Sequence, residues 1–79
     1  MGFEKLPIKE STSIAAAAHD RRRRMLRVTF KPGRAARRGA TYDYLDVPPR
    51  VVDEFLEAES LGRFVNWRIK PHYRYEKAD

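Results

Sequence analysis

The chain has 79 residues, 35% of them charged and none of them cysteine, and carries a formal net charge of +6. A chain this short holds one domain with one modest core and buries only about 60% of its unfolded surface on folding, with no disulfide or thiolate metal site to reinforce it. No run approaches the roughly 18 apolar residues of a membrane-spanning helix, and the first twenty residues lack a basic start followed by an apolar stretch, so the expectation is a cytoplasmic protein without membrane contact.

Residues 1–10, MGFEKLPIKE, mix charges and a proline without sustained period and read as an irregular lead-in. SIAAAAHD follows and is ambiguous: its four alanines favour helix, yet only RRRR separates it from MLRVTF. MLRVTF alternates, with Leu26, Val28 and Phe30 on one face and Met25, Arg27 and Thr29 on the other, the period of a half-buried strand. Beyond a basic stretch at 31–40, ATYDYLDV alternates again. Tyr42 and Tyr44 share one face, Thr41, Asp43 and Leu45 the other, and the segment is expected to pair antiparallel with the preceding strand.

The period changes in VPPRVVDEFLEAES. Pro48 forces Val47 into an extended conformation and Pro49 suits the first helical turn, so a helix starts there with Val52, Phe55 and Leu56 towards the sheet. Ser60 is placed to cap a second short helix, LGRFVNWRIK, with Leu61, Phe64, Val65 and Ile69 inward and Pro71 as its stop. The tail HYRYEKAD places Tyr73 and Tyr75 two apart, as a last edge strand would. The expected architecture is therefore α+β: a small three- to four-stranded antiparallel meander covered on one face by two short helices.

Three segments taken together, STSIAAAAHD (11–20), YDYLDVPPRVVDEFLEAES (42–60) and GRFVNWRIKPHYRY (62–75), resemble the KTSC domain, a module named after the C-terminal extension of some lysyl-tRNA synthetases. The resemblance places the domain at 11–76 and implies that the alanine segment is extended and pairs with the strands that follow. Through its association with tRNA synthetases it also implies RNA binding. The chain departs from the family pattern twice: His19 stands where an aromatic usually sits beside the aspartate, and 31–40 is a basic insertion, about half a dozen residues longer than a short Asn-Gly-like hairpin turn.

Catalytic chemistry finds little support. Ser11, Ser13, His19 and Asp20 lie near one another in sequence, but no Gly-x-Ser-x-Gly turn presents a nucleophile. His19 and His72 are the only histidines, so a metal site would need scattered carboxylates, and His19 reads as a solvent-exposed turn residue. Asp53, Glu54 and Glu57 read as a solvated helix face, and GRAARRG lacks the Lys-Ser/Thr of a phosphate-cradling loop. No enzyme activity and no cofactor are expected.

Basic residues carry the functional reading. Nine of the seventeen Lys and Arg lie between Arg21 and Arg38, a window without a single acid. Arg21, Arg22, Arg23 and Arg24 precede the MLRVTF strand, while Lys31, Arg34, Arg37 and Arg38 follow it, so a meander puts them at opposite ends with Arg27 between. Such a stripe suits the phosphates of RNA or DNA, each neutralised phosphate adding about −0.7 to the salt slope on single strands and −0.9 on duplex. Arg63, Asn66, Trp67, Arg68 and Lys70 form a second contact surface, and Tyr42 and Tyr44 are candidates for base stacking, although the resemblance favours them as core. The alternative partner is an acidic protein surface; the rival to both is a solvated charge cluster. Shortening the inserted PGRAARRG (32–39) to a two-residue turn is expected to leave the fold intact and to weaken nucleic-acid binding, read by circular dichroism and fluorescence anisotropy; unchanged affinity would make the insertion a spacer.

Overall fold

Leu26 and Val28, the inward pair of MLRVTF, are fully buried at the centre of the computed structural model, which describes residues 2–33 and 38–78. They belong to the middle strand of one antiparallel sheet. Its strands are β1 (Glu4–Lys5), β2 (Ile14–Asp20), β3 (Met25–Phe30), β4 (Ala40–Tyr44) and β5 (Tyr75–Lys77), and their spatial order follows the chain. The meander thus has five strands rather than three or four. One strand comes from the lead-in: Glu4 pairs with His19 and Lys5 with Ala18, and the Leu6 N–H donates to the Ala17 carbonyl at 2.9 Å. Two residues are too few to display a period, which is why the alternation of the sequence did not announce them.

The alanine segment is strand β2, so its pairing along β3 outweighs the helical preference of alanine. A register shift between Ile14 and Ala16 marks a bulge, and it turns both Ile14 and Ala17, three residues apart, into the core. Between β3 and β4 the register sets Leu26 opposite Tyr44 and Val28 opposite Tyr42 on the inner face. On the outer face Arg27 opposes Asp43 and Thr29 opposes Thr41, whose hydroxyls lie 3.1 Å apart.

Helices cover the inner face. Pro48 is extended (φ −74°, ψ 157°) and Pro49 opens α1 (Pro49–Glu57), where the missing N–H of proline has no helical partner to lose. Val51, Val52 and Phe55 of α1 are buried and Leu56 is half-buried, close to the expected stripe. Ser60 Oγ accepts the Arg63 N–H at 3.3 Å and starts α2 (Leu61–Phe64). This helix then widens into a π-helical turn over Val65–Ile69, where the Lys70 N–H reaches back five residues to the Val65 carbonyl at 2.8 Å. Leu61, Val65 and Ile69 complete the core, each fully desolvated apolar side chain contributing about 1.5–3 kcal/mol.

Gly39 closes the β3–β4 connection with φ +80°, and a Cβ there would run into the Phe30 carbonyl oxygen. Gly39→Ala is therefore expected to destabilise the domain by about 1–3 kcal/mol through strain and a backbone clash. Thermal unfolding should register a fall of about 4–8 °C per kcal/mol for a domain of this size; an unchanged midpoint would show that the connection rearranges freely.

Candidate nucleic-acid interface

The four consecutive arginines form the β2–β3 turn, and Asp20 holds that turn in shape. Its buried carboxylate accepts the backbone N–H groups of Arg22 and Arg23 through Oδ1, each at 3.1 Å, and the Arg23 Nε–H through Oδ2 at 2.7 Å. Arg24 completes the reversal in the left-handed region at φ 56°, and its carbonyl accepts the Val47 N–H at 2.7 Å. The hydrogen bond from the Arg23 side chain, with those from the turn backbone, holds the Asp20 carboxyl below its ordinary value of 3.8.

This arrangement consumes one arginine and leaves its neighbours exposed. Arg23 is committed to Asp20, whereas Arg21, Arg22 and Arg24 are exposed and form no ion pair among the described residues. Arg27 does not bridge the two ends of β3 as a free cation. Its Nε and one terminal nitrogen grip Asp43 at 2.7 and 2.9 Å, and the Phe3 ring lies 4.0 Å from its guanidinium carbon. The cross-strand register explains this, since Asp43 stands directly opposite Arg27. The expected stripe is thereby interrupted at its middle, and the two basic ends are separated by about 20 Å, the length of a six-residue strand.

At the far end, Lys31 Nζ donates to the Ser11 carbonyl at 2.6 Å and Arg38 is exposed beside Gly39. Arg34 and Arg37 lie outside the described residues. The second predicted surface is divided. Arg68 is paired with Glu54 at 2.7 Å, while Trp67, 73% exposed, shares a shallow depression of about 230 Å³ with Arg63, Phe64 and Arg68. Asn66 is exposed on the same π-helical turn. Lys70 instead faces the tyrosines, lining a groove of about 250 Å³ with Tyr42, Tyr44 and Tyr75.

Of the two tyrosines considered for stacking, Tyr44 is 2% exposed and offers no free ring face. Tyr42 is half-buried, edge-on to Phe30 at 5.9 Å and to Tyr75 at 5.2 Å between centroids. Tyr75, which is not among the residues expected to bind, is the accessible ring of the group, 60% exposed on β5. Its signal was present in the alternation of the tail. What the sequence could not supply was its partner, Tyr44, reached only across the helices.

His19 also departs from expectation. It is a buried strand residue, not an exposed turn residue, and its Nε2 lies 3.1 Å from the Val47 carbonyl oxygen, which calls for a proton on that nitrogen. Among the described residues no group of three or more His, Asp and Glu side chains is placed to hold a metal ion, and no helix is long and apolar enough to cross a membrane.

The sequence model of the KTSC domain matches residues 10–73, most of the chain. The chain belongs to the KTSC domain family. A protein of Tsukamurella paurometabola is 46% identical over 65 residues, covering 82% of this chain and 88% of the relative. A Stutzerimonas stutzeri protein is 42% identical over 71 residues, covering 89% of this chain and 92% of its own length. The crystal structure of a KTSC domain protein from Yersinia pestis superposes with a TM-score of 0.82 at 32% identity, over 99% of this chain and 100% of the other. In this KTSC domain the Tyr-x-Tyr pair, Tyr42 and Tyr44, points to the helix-covered side of the sheet and joins the core rather than standing free on the surface.

Asp20 predicts a pH dependence of stability. Because its folded-state pKa is depressed, its contribution is complete above 3.8 and is lost as pH falls below that value through the folded pKa. Asp20→Asn should therefore lower the unfolding midpoint at pH 6, and the gap between variant and wild type should narrow as pH falls towards 2. A gap independent of pH in thermal melts would show that the carboxylate charge does not organise the turn.

Proposed function

We propose that this KTSC domain is a small cytoplasmic, non-enzymatic module that binds RNA, with DNA as the alternative nucleic acid. The observation that carries the reading is the division of its cations into two classes. Arg23, Arg27 and Arg68 are each held by a carboxylate, whereas Arg21, Arg22 and Arg24 project from a turn whose shape Asp20 fixes. Arginines on a pre-shaped turn contact phosphate with less ordering cost than arginines on a flexible tail. Local positive charge of this kind binds a polyanion by counterion release, without reading base sequence. The Arg27–Asp43 pair confines the contact to the turn end of the sheet instead of spreading it along β3.

A second reading rests on Trp67. An exposed tryptophan flanked by Arg63 and Phe64 has the composition of a protein-binding hot spot, and an acidic partner surface would complement it. Capture of a partner that survives nuclease treatment and is lost in Trp67→Ala would favour this reading.

The leading reading is tested by fluorescence anisotropy with a labelled mixed-sequence single-stranded RNA at several salt concentrations, alongside DNA of the same sequence. Affinity is expected to fall with salt. Replacing Arg21, Arg22 and Arg24 together by Gln should reduce the slope of log K against log salt by about 2, at about 0.7 per phosphate contact. Absence of binding, or binding indifferent to salt, would overturn the proposal.

A further inference from the structure

The groove beside β5 has properties that the arginine turn lacks. Its walls are three tyrosine rings, with centroid separations of 5.2 Å for Tyr42–Tyr75, 6.1 Å for Tyr44–Tyr75 and 6.5 Å for Tyr42–Tyr44. Its fourth wall is Lys70, whose ammonium sits 5.3 Å from the Phe30 ring centre and forms no ion pair among the described residues. The three phenol hydroxyls make no hydrogen bond to any described residue. Burial, followed by the neighbouring Tyr42 and Tyr75 phenols, pushes the Tyr44 phenol up to about 12.

We propose that this groove is a nucleotide site, in which a base lies against the exposed ring of Tyr75 and its phosphate meets Lys70. The chemistry on the two sides is complementary. A planar, weakly polar ring suits the aromatic wall, an anion suits the single ammonium, and the unbonded phenols supply donors and acceptors to the base edge or the sugar. A simple anion would leave the aromatic wall unused, and an apolar ligand would leave the ammonium and the hydroxyls unmatched. The size, about 250 Å³, falls a little below the ordinary range of small-ligand pockets, so the groove takes no more than one nucleotide. The site rests on the RNA reading above in that it would seat one residue of the bound strand, but it can be probed without a strand.

Two measurements separate the fates of the two ideas. In the first, the full chain is titrated with adenosine monophosphate, uridine monophosphate and inorganic phosphate while aromatic and amide chemical shifts are followed. Either nucleotide should shift Tyr75, Tyr42 and Lys70 together, and inorganic phosphate should leave the tyrosine rings unmoved. Rings undisturbed by both nucleotides would overturn the groove, and so would an equal response to inorganic phosphate.

In the second, RNA anisotropy is repeated with Tyr75→Ala and with Lys70→Gln, both at exposed positions where folding is checked by thermal melting. Loss of one stacked base should weaken binding about 5- to 160-fold in Tyr75→Ala, and Lys70→Gln should reduce the salt slope by about 0.7. Salt-dependent RNA binding that ignores both variants would discard the groove and keep the RNA reading. If the chain fails to bind RNA at all, the RNA reading falls and the nucleotide titration alone decides the groove.

Discussion

Val47 has one backbone donor and one acceptor, no exposed surface, and a proline after it, so both groups must find partners within the fold. Its N–H goes to the carbonyl of Arg24, and its carbonyl takes His19 Nε2. These two bonds tie the residue that launches α1 to strand β2 and to the turn that follows it. The helix is thereby set over the sheet, and the last residue of the arginine turn is fixed from behind. Core and basic turn consequently share one anchor. An aromatic at position 19 would fill the same space but supply no comparable N–H for that carbonyl unless it were tryptophan.

Electrostatically, the domain is more sharply sorted than its net charge of +6 conveys. Asp20 and Asp43 lie within the sheet and each takes one arginine from the acid-free window of the sequence, in contacts of charge-assisted length. Arg68 and Glu54 link the two helices at the surface, where exposure of both side chains keeps their contribution at about 0–1 kcal/mol. The remaining turn arginines form no ion pair among the described residues. A surface that neutralises some of its cations in this way concentrates its unpaired positive charge at one place, which a uniformly basic surface does not.

The parts of this fold legible from the sequence were those with several repeats of a period or a strong stereochemical stop. β3 and β4 were visible in their alternation, α1 in the Pro48–Pro49 start, and α2 in the Ser60 cap. The alanines of β2 carried a local preference opposed to their tertiary setting, and only the family resemblance pointed the right way. The π-helical turn was hidden because Leu61, Val65 and Ile69 recur at a spacing that an ordinary helix also satisfies. Arg27–Asp43 was hidden for a different reason: pairing across a long hairpin depends on a register that loop length obscures. The tyrosine groove combined both difficulties, since Tyr75 and Lys70 reach Tyr42 and Tyr44 only after the chain has crossed the helices and returned.

Strand order that copies chain order has a kinetic meaning. β1 to β4 are joined to their neighbours by links of eight, four and nine residues, so three of the four pairings close loops far smaller than the passage through the helices to β5, and such local topologies fold quickly. Only β5 must wait for the helices. Loop-closure entropy rises slowly with length, about 0.6 kcal/mol for each doubling, so lengthening the β3–β4 connection costs the sheet little. A meander of this kind can carry a long, highly charged link between its central strands without slowing or unsettling the framework that displays it.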